Sequence, residues 1–318
     1  MSRRAAIARA GLLAGAFAVG GTRRASAAVG ETATNPGAGP FVFCLNTATI
    51  RGQKLGLRKE LELAAQAGYQ AVEPWLDSIE QYARNGGSLR DLRQRVNDLG
   101  LSVEDAIGFP EWLADDPVRQ AKGMERAKNA MDLVAQLGCK RLALPPAGAT
   151  DKPLPDLLAA AARYRELLEH GDQVGVVPQI ELWGFSKRLN RIGQCADIAI
   201  ETAHPKACVL LDVFHLYKSG CDFHGVTLLS ATSVQVLHMN DYPADPPRDQ
   251  INDGFRIYPG DGIAPVVDIL RALRAMGGPK VLSLELFNRK LWEQDALEVA
   301  RTGLEKMKAV AGKALNSR

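Results

Sequence analysis

Cysteine is scarce and badly placed for a framework. Cys44, Cys139, Cys195, Cys208 and Cys221 are odd in number and no two form a C-x-x-C pair. That excludes a disulfide scaffold and a zinc-thiolate cluster, and it leaves mostly buried free thiols as the expected state. Proline is sparse at 17 in 318 residues, and the chain is 46% hydrophobic and 24% charged, which excludes disordered and collagen-like classes. A large charge of one sign is also missing. The net charge is +3, but Arg3, Arg4, Arg9, Arg23 and Arg24 lie in a segment without acids; without them 34 basic residues face 36 acidic ones. A basic surface for gripping nucleic acid is therefore unsupported.

The first 28 residues read as an export leader rather than as structure. A positive start is followed by an apolar stretch at residues 10–21, and Ala25-Ser26-Ala27 supplies a small-x-small cleavage pattern. The apolar stretch is shorter than the ~20 residues that span a bilayer, so no permanent membrane anchor is expected. Ser2-Arg3-Arg4 resembles the twin-arginine motif, although Ala6 stands where that motif usually has Phe. The twin-arginine export machinery is the implied partner, and a periplasmic or extracellular location follows. Residues 29–40 read as a flexible lead-in, and the folded part begins at Phe41.

From there, short apolar runs alternate with amphipathic stretches rich in Leu, Ala, Arg and Glu. Strands are expected at 41–46, 70–73, 102–107, 141–144, 176–181, 208–212, 234–239 and 281–286. Helical patterns lie between them, several stopping at a glycine that caps the last turn, and only the sixth, within 217–232, is ill defined. Continuous apolar strands are those covered on both faces, as in parallel sheets. Eight such units of roughly 35 residues predict a single-domain α/β fold over 41–312, a (β/α)8 TIM barrel. A doubly wound sheet would carry a glycine-rich turn after its first strand, where this chain has Asn46-Thr-Ala-Thr-Ile50.

The last four runs each stop at a residue that ligates metals: Glu181, Asp212, His238 and Glu285. The carboxyl ends of barrel strands form the floor of the active site. Four such groups buried without partners would cost several kcal/mol each, and one shared divalent cation removes that cost. Three carboxylates and an imidazole suit Mn²⁺ or Mg²⁺, with Co²⁺ and Zn²⁺ also compatible. The loop at 241–262 lies on the same face and is a candidate lid. Aromatic residues expected near the mouth are Trp75, Phe109, Trp112, Trp183, Phe185, Tyr258 and Phe287, of which Trp183, two residues past Glu181, most favours the pocket. Glu73 and Asp105 end strands two and three, and each is a candidate substrate contact or a structural carboxylate.

These motifs resemble the xylose-isomerase-like barrel superfamily of sugar isomerases and epimerases. They are Pro-Gln-Ile-Glu181-Leu-Trp, Asp212-Val-Phe-His215, His238-Met-Asn-Asp241, Arg256-Ile-Tyr-Pro-Gly-Asp-Gly262 and Leu-Ser-Leu-Glu285-Leu-Phe. The resemblance implies Glu181, Asp212, His238 and Glu285 as metal ligands, with Glu181 and Glu285 doubling as acid and base. It implies His215 and Arg256 as groups that hold substrate oxygens. Xylose isomerases proper carry a lysine in Glu-x-Lys-Pro-x-Glu-Pro, whereas Glu181 is followed by Leu-Trp-Gly-Phe, which argues against a two-metal hydride shift. The superfamily's histidine-rich DNA-repair members are argued against by five histidines in all. The expected function is a metal-dependent isomerase or epimerase that moves a proton on a small sugar. A lyase or dehydratase eliminating from a 3-keto sugar or keto-polyol on the same metal site is the alternative, and a non-catalytic exported sugar-binding barrel is the third. A homo-oligomer is compatible with the sequence.

Overall fold

The computed structural model describes residues 39–316; the expected leader and nearly all of the lead-in lie outside the described residues. Eight parallel strands are present: β1 (Phe41–Asn46), β2 (Ala71–Glu73), β3 (Ser102–Val103), β4 (Arg141–Leu144), β5 (Val177–Glu181), β6 (Val209–Asp212), β7 (Val234–Met239) and β8 (Lys280–Leu284). They follow the order β3-β2-β1-β8-β7-β6-β5-β4. The two ends of that row meet. Lys140 N donates to Val103 O at 3.1 Å and Ala143 N to Ala106 O at 2.9 Å, while Ile107 bridges Trp75 on one side and Ala143 on the other. The ring is a (β/α)8 barrel.

Strand three is the main departure from the sequence reading. The ladder stops at Val103 instead of reaching Ile107. Asp105 Oδ1 accepts from the next backbone N–H, that of Ala106, at 2.9 Å, and the same N–H reaches Arg141 O of β4 at 3.2 Å, so it is shared between a local bond and the ladder. Glu104 turns to Lys140 and Arg141, with Lys140 Nζ at 2.5 Å and Arg141 Nη1 at 2.9 Å.

Helices cover the outside of the ring. After β1 comes α1 (Leu57–Ala67), after β2 come α2 (Leu76–Arg84) and α3 (Leu89–Asp98), and after β3 comes α4 (Pro117–Gln136). Then follow α5 (Leu157–Val174), α6 (Ile192–Glu201), α7 (Val213–Ser219), α8 (Val266–Met276), α9 (Arg289–Trp292) and α10 (Ala296–Asn316). The ill-defined sixth unit is short because α7 ends at Gly220 and a 3₁₀ turn, Phe223–Leu228, finishes the crossover. All five cysteines are buried free thiols.

Two apolar cores separate along the strands by the period of two. The larger fills the space between ring and helices, and a smaller one inside the ring contains Cys44, Ala71, Ile107, Leu210, Val236 and Val281. Two residues beyond five of those inward positions stand Asn46, Glu73, Asp212, His238 and Ser283, all fully buried. The interior is thus an apolar plug capped by a polar layer at the carboxyl end of the strands.

On α1, Glu60 is buried and its Oε2 has no hydrogen-bond partner. Burial pushes its carboxyl up to about 7, with Asp77 adding to the rise and Arg51 opposing it. The folded state therefore binds more protons than the unfolded chain between about pH 4.5 and 7, and stability falls as pH rises through that window. Glu60→Gln should raise stability at pH 8 by about 1–3 kcal/mol and change it little at pH 4. Urea unfolding of both proteins at the two pH values reads this out; an equal effect at both would assign the change to packing instead.

Candidate active site

The polar layer places its groups by strand alternation, and four of them converge. One ligand atom from each of Glu181, Asp212, His238 and Glu285 lies within 4.8 Å of every other, and all four residues are buried. His238 Nδ1 stands at the centre, 3.2 Å from Glu181 Oε1, 3.1 Å from Glu285 Oε2 and 3.6 Å from Asp212 Oδ2. Yet Nδ1 has hydrogen-bond geometry to none of them, and Glu181 Oε2 is also without a partner. Atoms able to ligate that crowd one point, with Nδ1 among them left unpartnered, are arranged as metal ligands are. Three carboxylates and an imidazole fit a divalent cation, and the group can hold one.

The layer beneath orients the ligands. His238 Nε2 donates to Glu73 Oε1 at 2.8 Å, and Glu73 Oε2 accepts from Ser283 Oγ at 2.5 Å. This carboxylate–histidine pair turns Nδ1 toward the point where the carboxylates converge, as carboxylates behind metal-binding histidines do. Asp105 accepts from Gln179 Nε2 at 2.7 Å, and burial followed by the neighbouring Glu73 charge pushes its carboxyl well up. Glu73 and Asp105, read from sequence as candidate substrate contacts, lie in this supporting layer and do not line the cavity. Glu73→Ala should lower Mn²⁺ affinity by about 10–100-fold, and Glu73→Gln, which keeps an acceptor oxygen, should restore much of it. Calorimetric titration with Mn²⁺ checks this, and wild-type affinity in Glu73→Ala would refute the orienting role.

Charge balance points the same way. Glu73, Asp105, Glu181, Asp212 and Glu285 are buried together, and the buried cations among them are Arg256 and, when protonated, His238. Burial pulls the His238 imidazole down, but Glu285 and Glu73 outweigh it and hold it well above its usual range. A cation entering the site would replace that proton. Burial pushes the Glu181 carboxyl up to about 7 against the pull of His238. Glu285 also rises through burial. Asp212 is different: against burial, Arg256 and His215 hold it well below the carboxylate range.

Arg256 comes from the loop after β7. Its Nη1 donates to Asp212 Oδ2 at 2.7 Å and to Glu285 Oε2 at 2.8 Å, and its Nη2 lies 2.6 Å from Asp253 Oδ1 and 3.2 Å from His215 Nε2. In this structure Arg256 is therefore engaged with two of the ligand carboxylates as well as lining the cavity. His215 lines the cavity beside it, and burial pulls its imidazole down to about 4, so it is neutral at pH 7. The 241–262 loop is pinned at its base. Asp241 Oδ2 accepts from Gly260 N at 2.9 Å and Gly262 N at 3.0 Å, while its Oδ1 accepts from Tyr242 N and Ala264 N. A Cβ at Gly262 would lie 2.2 Å from Tyr242 O, so only glycine permits this close approach.

Above the floor opens a cavity of about 250 Å³. Glu181, His215, Arg256 and Glu285 line its lower part and Trp183 its wall. Trp112 instead lies fully buried, donating to Pro145 O at 3.1 Å, and Tyr258 donates to Val299 O at 3.2 Å outside the cavity. Sequence reasoning missed Asn46, whose Nδ2 donates to Glu285 Oε1 at 3.2 Å, and Asp253, the partner of Arg256. Asn46 ends an apolar run just as the ligands do, and that position was its signal.

A family model described as xylose isomerase-like TIM barrel matches residues 61–310. The chain is 25% identical over 277 residues to the inosose isomerase of Bacillus velezensis, covering 85% of this chain and 97% of that protein. It is 28% identical over 234 residues to the 3-dehydroshikimate dehydratase of Pseudomonas putida, covering 73% of this chain. That match takes in 36% of the dehydratase, so the chain spans about a third of that relative's length. A solved structure of the IOLI protein with a zinc atom superposes with a TM-score of 0.79 at 22% identity, covering 87% of this chain and 100% of that one. With the strand order, the converging residues and a family match over most of its length in agreement, the chain belongs to the xylose isomerase-like TIM barrel family.

Proposed function

We propose that the protein is a divalent-metal enzyme that isomerises or epimerises a keto sugar, or a closely related cyclic polyol ketone, by moving a proton beside the carbonyl. The observation that carries this reading is the buried, unpartnered Oε2 of Glu181 beside the four-ligand cluster. One oxygen of that residue faces the ligand set and the other is left to take a proton. A bound cation, Mn²⁺ or Mg²⁺ on the chemistry of the donors, would draw electron density from the carbonyl and acidify the adjacent C–H. Glu181 would remove the proton, and Glu285, on the other side of His238, would return one. Arg256 and neutral His215 would hold the substrate's oxygens, and the walls would keep water from the exposed carbanion.

Elimination is the second reading, favoured by an asymmetry between the two glutamates. Both oxygens of Glu285 already accept, from Asn46 and Arg256, which leaves Glu181 as the less committed base. One carboxylate suffices if the proton Glu181 takes from carbon is handed to the oxygen leaving the neighbouring carbon, so that water or an alcohol departs as the C=C bond forms. The isomerase name of one relative supports the first outcome and the dehydratase name of another, of which this chain spans about a third, supports the second. The Ser2-Arg3-Arg4 leader supports an exported protein and hence an unphosphorylated substrate.

The test is a panel of keto sugars and keto-inositols incubated with Mn²⁺-loaded protein and read by NMR. A product of unchanged mass supports isomerisation or epimerisation. An enone with loss of water moves the assignment to elimination, and no reaction across the panel with metal bound contradicts both.

A further inference from the structure

The walls of the active-site cavity differ in chemistry from its floor. Glu181, Arg256 and Glu285, together with His215, belong to its floor, and Asp253 lines it from the loop after β7 with its carboxylate held by Arg256; the remaining walls are Ile107, Phe109, Trp183, Phe185 and Phe287. Among the described residues of those walls, the indole N–H of Trp183 is the one side-chain donor or acceptor. The aromatic rings form a continuous arc. Phe109 lies 5.7 Å from Trp183, which stacks on Phe185 at 5.2 Å, and Trp75 joins Phe109 to Phe287 at 5.2 and 5.8 Å.

A bare sugar fits this arc poorly. Its C–H faces can stack on aromatic rings, but it carries hydroxyls around its whole edge. Those beyond reach of the floor would lose water without gaining partners. The cavity, about 250 Å³, also falls below the ~300–1,000 Å³ typical of sites for drug-sized ligands. It encloses one ring, and anything attached to that ring must reach the mouth. There stand Phe109 and Phe185, large apolar side chains that are 42% and 49% exposed and join the same arc through Trp183, so their ring faces are open to a ligand at the mouth.

Resting on the proton-transfer reading above, we propose that the substrate is a keto sugar carrying a planar aromatic substituent, with the sugar ring on the floor and the aryl group between Phe109 and Phe185. The arc then supplies stacking and edge-to-face contacts, and the floor supplies the hydrogen bonds to the sugar ring. Trp183 lies where sugar and substituent join, its N–H available to the linking oxygen.

The experiment compares phenyl and methyl β-glucopyranoside, which lack the carbonyl and so cannot react, with the full-length Mn²⁺-loaded protein. Binding is measured by calorimetry. The phenyl compound is expected to bind at least about 10-fold more tightly, and Phe109→Ala and Phe185→Ala should each narrow that ratio to within about threefold. Equal binding of the pair, undetectable binding of both, or a ratio untouched by the two variants overturns the proposal. The reaction is scored separately. An aryl preference that depends on Phe109 and Phe185 stands even if no keto sugar in the panel is turned over, in which case the proton-transfer reading fails and the aryl site remains.

Discussion

Glu181→Gln is expected to lower turnover by about 10²–10⁴-fold while the divalent cation stays bound. Glutamine keeps the length of the side chain and one oxygen for the ligand cluster, but it puts an amide where the unpartnered Oε2 now stands. That atom has no neighbour to which the amide would be a wrong partner, so the substitution removes a proton acceptor and little else. Glu285→Gln should behave differently. Its two oxygens accept from Asn46 and Arg256, so an amide must face one of these donors. Metal affinity and turnover should therefore fall together. Metal content by mass spectrometry alongside the rate separates the cases. A Glu181→Gln protein that works at near wild-type rate with its metal bound would remove Glu181 from the chemistry.

His238→Ala should abolish tight metal binding and also weaken the metal-free protein by about 3–5 kcal/mol, the usual cost of removing one partner from buried charges. Nδ1 is the atom on which the carboxylates converge, and Nε2 is the donor held by buried Glu73. Arg256→Gln makes the informative contrast. It also strips a buried countercharge, from Asp212 and Glu285, so the metal-free protein should weaken by a similar amount. All four ligands survive, however, and a cation can supply the missing charge. Mn²⁺ at 100 times its Kd stabilises a protein by about 2.7 kcal/mol. The gap in Tm between Mn²⁺ and chelator should thus persist in Arg256→Gln and collapse in His238→Ala. A gap that survives in His238→Ala would place the cation elsewhere.

The converging group could be read from sequence because burial and alternation both leave marks in it. Asp212, His238 and Glu285 follow apolar runs, and each stands two residues beyond another inward position. The same period marks Glu73 after Ala71 and Asn46 after Cys44, but it says only that these side chains point inward. Whether an inward carboxylate meets substrate or a histidine depends on its height relative to a strand elsewhere in the ring, and here Glu73 meets His238 from 165 residues away. The pairing of Arg256 with two ligands was hidden for a related reason. It depends on the loop fold set by Asp241 and its backbone donors, which no spacing rule encodes. Strand three is shorter than expected because apolar Ala106 and Ile107 continue the strand pattern, whereas beyond Val103 the contacts with the neighbouring strands are single bonds and isolated bridges, with the Ala106 N–H shared between Asp105 Oδ1 and Arg141 O.

The central claim is that a cation held by Glu181, Asp212, His238 and Glu285 lets Glu181 move a proton beside a carbonyl. Deuterium incorporation at that carbon, followed by NMR in heavy water with a substrate found in the panel, tests it most directly. Deuterium should enter the product with Mn²⁺ present and cease on chelation or in Glu181→Gln. Product that forms without deuterium, or exchange that continues after the metal is removed, would contradict it.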